Sequence, residues 1–314
     1  MKERRIKAVD KKDTNVSFNQ WLEELKHRQD FEHKIDPTQK EATVYVYGEY
    51  PHIPIGISFL TDVHFGNYGV DYHSLDKHLT IIKETPNMFM FMGGDMIDAF
   101  SPTKHPTGMM NDIMPPDEQA DIMLGVLEDF DQQSKLVGVL LGNHDHFINE
   151  AGYRFEKFLS RIKAPVYQGA GNLNILVGEG GEKYRIFVSH THWGSSKINI
   201  TNAAKRALQF TSPDADMAFL GHTHQASCEI YHIGGKHKIA LVGGTYKVDD
   251  KWLQKWGSLE KPLGGFTVFF YPDKHHMEVV RYPDIARDVI LSMIKYDNRP
   301  DPYTELIKKL KKSK

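Results

Sequence analysis

The chain has 314 residues and a mass of 36.0 kDa, with 40% hydrophobic and 25% charged residues. This composition is typical of a globular protein and excludes collagen-like and wholly disordered chains. Lys and Arg number 39 against 41 Asp and Glu, and the formal net charge of −2 excludes binding to nucleic acid through bulk positive charge.

The N-terminal segment, residues 1–45, is polar and carries apolar side chains at helical spacing, namely Phe18, Trp21, Leu22 and Leu25. This pattern predicts an arm with one short amphipathic helix. The first residues lack the apolar stretch of a secretory signal, and no run reaches the roughly 18 apolar residues of a membrane span. With Cys228 as the one cysteine, we expect a cytoplasmic protein with no membrane partner, no intrachain disulfide and no cysteine-based zinc site.

Five short apolar runs follow, and each stops at polar or glycine residues, which predicts buried strands. They are Ile55–Leu60, Met88–Met92, Leu136–Leu141, Tyr184–Val188 and Met217–Leu220. Between the early runs, apolar residues at helical spacing predict helices, as at Leu75, Leu79 and Ile82 and at Ile122, Val126 and Phe130. Alternating strands and helices favour βαβ units with parallel pairing.

The last third of the chain has a different pattern. Glu229–Ile233 and Lys238–Val242 flank two glycines, and Phe266–Tyr271 and Met277–Tyr282 flank Pro272-Asp273, which predicts two hairpins and a second, mostly antiparallel sheet. We expect a main domain over residues 46–283 and a basic helical tail over 284–314. The long Pro- and Met-rich stretch at 101–118 is typical of a functional loop.

Each of the five apolar runs ends in a cluster of Asp, Asn or His. Ligands of open α/β sheets bind beyond the carboxyl ends of the strands, so these side chains are expected to meet at one edge. The candidate ligands are two Asp, one Asn and four His: Asp62, His64, Asp95, Asn143, His190, His222 and His224. Seven ligands are too many for one tetrahedral ion, and mixed oxygen and nitrogen donors suit two ions of Mn, Fe, Zn, Co or Ni, with Mn favoured.

The ordered motifs Asp62-x-His64, Gly94-Asp95-x-x-Asp98, Gly142-Asn143-His144-Asp145, His190 and Gly221-His222-x-His224 resemble those of the calcineurin-like metallophosphoesterase superfamily. The resemblance implies an α/β fold, a four-layer α-β-β-α sandwich of two mixed sheets, with a dinuclear metal site at the strand ends. It also implies hydrolysis of phosphoesters by a hydroxide that two divalent ions activate. Many members have His-Gly-His at the fourth motif, where this chain has His190-Thr191-His192. We favour His190 as the ligand because it directly follows the apolar run.

The resemblance also implies a role for each residue. Asp62, His64, Asp95 and His224 would hold one ion, and Asp95, Asn143, His190 and His222 the other. His144 would be the general acid or transition-state donor, and Asp98 and Asp145 would orient the ligands.

The substrate is less constrained than the chemistry. Leu141 stands where the protein Ser/Thr phosphatases have Arg, and Asp98 where the purple acid phosphatases have Tyr. The opening motif and Gly142-Asn143-His144-Asp145 resemble the nuclease and phosphodiesterase branches, including Mre11-like exonucleases. We therefore expect a phosphodiesterase acting on DNA, RNA or a nucleotide. The alternatives are a phosphomonoesterase with a small substrate and a non-catalytic partner protein that keeps the fold.

Overall fold

The computed structural model describes residues 17–35, 38–100, 108–151, 153–233, 235–249 and 263–297. Two units are distinct, residues 1–37 and residues 38–314. In the first, the predicted amphipathic helix is present as α1, Phe18–Ile35. A reciprocal cap starts it, because the Ser17 N–H donates to Gln20 Oε1 at 2.7 Å while the Gln20 N–H donates to Ser17 Oγ at 3.4 Å. No helix within the described ranges is long and apolar enough to cross a membrane.

The second unit contains a large mixed sheet with helices. Its strands are β1 Thr38–Val46, β2 Ile55–Leu60, β3 Met88–Gly93, β4 Leu136–Leu141, β5 Val166–Val177, β6 Glu182–Ser189, β7 Met217–Leu220, β8 Ser227–Ile233, β9 Lys236–Val242, β10 Phe266–Phe270 and β11 Met277–Val280. Its helices are α2 Tyr72–Glu84, α3 Pro116–Gln132, α4 Asn143–Phe147, α5 Phe155–Phe158, α6 Asn202–Arg206, which continues as a π-helical turn over Ala207–Thr211, and α7 Pro283–Tyr296.

The strands are paired in the order β11-β10-β2-β3-β4-β5-β6-β7-β9-β8, with β1 added to β5. Neighbouring strands from β2 to β5 are parallel, and so are β6 with β7 and β7 with β9. The antiparallel pairs are β5 with β6, β2 with β10, and the two hairpins β8–β9 and β10–β11. All five predicted buried strands are therefore present. Fully buried β2, β3, β4 and β7 agree with continuous apolar runs covered on both faces.

The prediction of a separate antiparallel sheet in the last third was wrong. The β8–β9 hairpin extends β7, whereas the β10–β11 hairpin extends β2, so the two hairpins lie at opposite ends of one strand order. The two predicted sheets are instead joined into one hydrogen-bonded path through β5, which is twelve residues long and pairs with β4, β6 and β1.

Strand β1 occupies Thr38–Val46, which overlaps the segment predicted as an arm over residues 1–45, and it pairs in parallel with β5. Its alternation of exposed and half-buried residues gave no apolar run that could announce it. In the predicted basic tail, α7 covers Pro283–Tyr296, and the lysines beyond it lie outside the described residues.

Strands from both halves of the strand order contribute side chains to one hydrophobic cluster. The rings of Phe59 in β2 and Phe219 in β7 are 5.1 Å apart, although five pairings separate these strands. Helices α2, α3 and α7 pack with strands β3 and β4 in a second cluster, and α6 packs with β7 and β9 in a third. As a result, the loops that follow β2, β3, β4, β6 and β7 come together.

Candidate metal centre

Five of the predicted ligands have left-handed backbone conformations. Their φ angles are +51° at Asp62, +51° at His64, +48° at Asp95, +71° at His222 and +56° at His224. Residues other than glycine rarely adopt this region, and each such residue costs about 1–3 kcal/mol, so it persists only where its surroundings hold it in place. Here backbone hydrogen bonds do so, since the Asp62 N–H donates to Gly94 O and the His64 N–H to Asp95 O, both at 2.9 Å.

Glycines let these loops approach one another. A Cβ on Gly142 would lie 2.2 Å from Asp95 Oδ1, and one on Gly221 would lie 2.4 Å from Thr61 Oγ1. Any side chain at either position would displace the loop that carries a candidate ligand. The glycines of the third and fifth motifs are therefore required by close packing against the neighbouring loops.

The first cluster of donor atoms consists of Asp62, His64 and His224. His224 Nε2 lies 3.3 Å from Asp62 Oδ1 and 2.9 Å from His64 Nε2. Burial lowers the pKa of His64 to about 4, so this imidazole is neutral at pH 7. Its Nδ1–H donates to Asp98 Oδ1 at 2.8 Å, which leaves the lone pair on Nε2, the atom that faces the cluster.

The second cluster consists of Asp95, His190 and His222. His190 Nε2 lies 3.0 Å from Asp95 Oδ2, and His190 Nδ1 donates to Gly93 O at 3.2 Å. Burial acts to lower the pKa of His190, but the Asp95 carboxylate outweighs it and raises this pKa to about 10. A proton or a metal ion is thus needed between these two side chains.

The donor atoms fit divalent metal ions. Two ligand atoms at right angles around an ion, with bonds of about 2.1 Å, lie about 3.0 Å apart, which is close to the 2.9–3.3 Å found within the clusters. Asn143 Oδ1 is buried and has no hydrogen-bond partner within the described residues. A buried carbonyl oxygen without a partner costs free energy, and coordination would satisfy it.

Asp98 and Asp145 lie behind the clusters. For Asp98, burial acts to raise the pKa, but the hydrogen bond from His64 and the charge of Lys247 hold it well below its usual range. Asp145 joins two loops, because its Oδ1 accepts from the Met96 N–H at 2.9 Å and its Oδ2 from the Gly142 N–H at 2.8 Å. Burial, together with the Asp95 charge, raises the pKa of Asp145 to about 7.

His144 lies beside the first cluster and is fixed at both ends. Its backbone N–H donates to Asp95 Oδ1 at 2.8 Å, and its ring Nδ1–H donates to Asp98 O at 2.5 Å. A carbonyl can only accept, so Nδ1 carries a proton and Nε2 is the atom that can exchange one. The ring meets that of His64 edge to face at 4.5 Å.

The structure separates the two histidines of the fourth motif. His190 belongs to the second cluster, whereas His192 Nε2 pairs with Thr211 Oγ1 at 2.9 Å and belongs to none of the candidate metal groups found among the described residues.

Sequence reasoning missed two polar residues that fix Asp98. Lys247 Nζ donates to its Oδ1 at 3.0 Å and Asn67 Nδ2 to its Oδ2 at 2.7 Å. Lys247 is 149 residues away from Asp98, so no local motif signals it. Asn67 lies close to the first motif, and its proximity to Asp62-x-His64 was the available signal.

Comparison with known proteins gives a family and a set of distant structural likenesses. The model of the calcineurin-like phosphoesterase family matches residues 56–226, more than half of the chain. No curated protein matches the sequence.

Among solved structures, wild-type Vps29 from Entamoeba histolytica in complex with Zn²⁺ is 15% identical, with 72% of this chain and 98% of that one covered and a TM-score of 0.35. Vps29 from Cryptosporidium parvum is 12% identical, with coverage of 73% and 96% and a TM-score of 0.34. A predicted phosphoesterase from Streptococcus pneumoniae is 14% identical, with coverage of 72% and 97% and a TM-score of 0.31.

Proposed function

Because the chain belongs to the calcineurin-like phosphoesterase family, we propose that it is a cytoplasmic, metal-dependent phosphodiesterase acting on nucleic acid or nucleotides. Hydrolysis of phosphoesters follows from the family. The diester preference rests on the Asp62-x-His64 and Gly142-Asn143-His144-Asp145 motifs, which resemble those of the nuclease and phosphodiesterase branches, including Mre11-like exonucleases.

The position of Asp95 carries the two-metal part of the proposal. Its Oδ2 lies 3.0 Å from His190 Nε2 and 4.0 Å from His64 Nε2, so one carboxylate faces a histidine of each cluster. A bridging carboxylate suits two ions about 3.5–4 Å apart, the spacing used by phosphatases and nucleases. The family's four-layer sandwich is part of the same proposal, and the ring contact between Phe59 and Phe219 supports it.

Two groups of residues would hold the ions, with Asp95 in both: Asp62, His64, Asp95 and His224, and Asp95, Asn143, His190 and His222. Their mixed oxygen and nitrogen donors favour Mn, with Fe, Zn, Co and Ni as alternatives. Divalent ions in such a centre supply Lewis acidity and lower the pKa of water.

The surrounding side chains orient the ligands and handle the proton. Asp98 holds His64 in the tautomer whose Nε2 lone pair faces the cluster. His144 donates its Nδ1–H to a backbone carbonyl, so a protonated ring presents Nε2–H as the group that can donate to the leaving oxygen. Asp145 keeps the Asn143 turn against the Asp95 loop through backbone hydrogen bonds.

A substrate screen of the Mn-loaded protein tests this function. The substrates are bis-p-nitrophenyl phosphate, p-nitrophenyl phosphate, single- and double-stranded DNA, RNA and cyclic nucleotides, with Asp95→Asn as the background control. We expect hydrolysis of the bis-ester and of at least one nucleotide substrate. Faster hydrolysis of the monoester would indicate a phosphomonoesterase. No hydrolysis by protein that holds two ions per chain would indicate a non-catalytic partner protein.

A further inference from the structure

An exposed aromatic surface lies on the loop after β6 and on the π-helical turn after α6. We call Trp193, Arg206 and Phe210 the aromatic surface. Trp193 is 54% exposed and Phe210 is 59% exposed, and their rings are 6.1 Å apart at an interplanar angle of 29°. The Arg206 guanidinium carbon lies 3.8 Å from the centre of the Trp193 ring and 6.0 Å from that of Phe210. Two roughly parallel rings thus share one cation.

The loop holds this surface in a defined position. The Gly194 carbonyl accepts from Asn202 Nδ2 at 2.7 Å, and Gly194 has a φ of +92°. A Cβ there would lie 2.6 Å from Arg206 Cδ, so glycine allows the arginine to pass behind the loop. Phe210 belongs to a π-helical turn, a conformation frequently found at functional sites.

The aromatic surface lies near the candidate metal centre along the chain. Trp193 follows His190 by three residues, so their Cα atoms are at most about 11 Å apart. A small cleft lies between the second cluster and the loop that carries Trp193, and its lining includes His190, His192, Ser195 and His222. His192 packs beside Trp193 with ring centres 5.7 Å apart at 28°. Two candidate ligands of the second ion therefore share a cleft with the neighbour of the tryptophan.

We propose that the aromatic surface stacks the bases of a single-stranded nucleic acid whose scissile phosphate lies at the metal centre. This inference rests on the proposed function and specifies its substrate. Exposed rings with a nearby cation are the chemistry of single-strand binding, because every base has a face that stacks and the backbone is anionic. Two near-parallel rings, each more than half exposed, offer two separate stacking partners, which favours a strand over a mononucleotide.

Binding in excess EDTA tests the inference without hydrolysis. The probes are a labelled eight-residue thymidine oligonucleotide, an abasic oligonucleotide of the same length and thymidine monophosphate, all at one ionic strength because phosphate contacts depend on salt. We expect the full chain to bind the thymidine oligonucleotide more tightly than either other probe.

Substitutions then locate the binding. Trp193→Ala should weaken binding of the thymidine oligonucleotide by about 5- to 150-fold, as expected for the loss of one stacked base, and bring it close to the abasic affinity. Trp193→Phe should retain most of the affinity because a ring remains. Ile198→Ala is the matched control, since this side chain is on the same loop and 98% exposed but offers no ring. Thermal melting checks that each variant is folded.

Equal binding of thymidine and abasic oligonucleotides by the unmodified protein would overturn the inference, as would unchanged affinity in Trp193→Ala. Equally tight, Trp193-dependent binding of the mononucleotide would also overturn it, because a strand would then not be required. These outcomes are independent of turnover. A protein that binds bases but fails to hydrolyse bis-p-nitrophenyl phosphate refutes the proposed function alone, and the reverse result refutes this inference alone.

Discussion

Replacing His144 with alanine should separate catalysis from metal binding. The variant loses the imidazole but keeps the backbone N–H that donates to Asp95 Oδ1 at 2.8 Å, so the proposed bridging carboxylate stays in place. General acid catalysis contributes roughly 10²–10⁴ in rate, which corresponds to about 3–5 kcal/mol of activation free energy. We therefore expect kcat to fall by that factor while the metal content is unchanged.

The choice of leaving group makes the test specific. A nucleoside alkoxide needs a proton to depart, whereas nitrophenolate does not, so the loss in His144→Ala should be larger for a dinucleotide than for bis-p-nitrophenyl phosphate. Metal analysis and kinetics on both substrates measure this, with His146→Ala in the same helix as the control. Equal losses on both substrates would refute the acid role and leave positioning of the phosphate. Loss of metal would instead make His144 a ligand.

Four further outcomes follow from the site. Asp95→Asn removes the charge of the proposed bridging carboxylate and should lower both metal occupancy and turnover, whereas His192→Ala should keep the metal. Elemental analysis measures the metal content of both variants, and loss of metal in His192→Ala would contradict the choice of His190 as the ligand. Chelation should abolish hydrolysis, and Mn should restore it better than Ca, because Ca prefers all-oxygen sites. Full activity in metal-free protein would reject the metal centre. Metal affinity should rise with pH between about 6 and 9, by up to tenfold per pH unit. The reason is that the His190 pKa is raised to about 10, so the ion must displace a proton from His190 throughout this range. Competition titrations measure the affinity, and a flat profile above pH 7 would contradict the expectation. Lys247→Ala leaves the buried Asp98 carboxylate without its cation and should lower the free energy of unfolding by about 3 kcal/mol. Urea titrations with EDTA present measure this, and an unchanged unfolding midpoint would exclude the loss.

Much of the fold is visible in the sequence because buried parallel strands need continuous apolar runs. Strands β2, β3, β4, β6 and β7 appear in this way. β5 was missed because Gly169, Gly171, Asn172 and Asn174 interrupt its pattern, although it pairs on both sides. A polar residue of β5 is hydrogen-bonded to the neighbouring strand β1, since Asn174 Nδ2 donates to Glu41 Oε1 at 3.0 Å. Pairing between distant segments leaves no local signal.

The candidate site was predictable to the extent that its residues directly follow strands. Asp62, Asp95 and His190 do so, and the shared edge of the sheet brings them together. The fixation of Asp98 by Lys247 was not predictable, because the two residues meet only after the chain has folded. The joining of the two predicted sheets through β5 has the same cause, since strand order depends on long-range pairing.

The left-handed conformations at five of the candidate ligands have an evolutionary consequence. At each of these positions glycine would relieve backbone strain, and five residues at about 1 kcal/mol each amount to a large part of the 5–15 kcal/mol that stabilises a typical domain. In the absence of selection for a metal centre, the backbone conformation alone would therefore favour drift toward glycine at these positions. An ion that binds only the folded state opposes this drift, because its binding free energy adds to the stability of the chain that keeps its ligands.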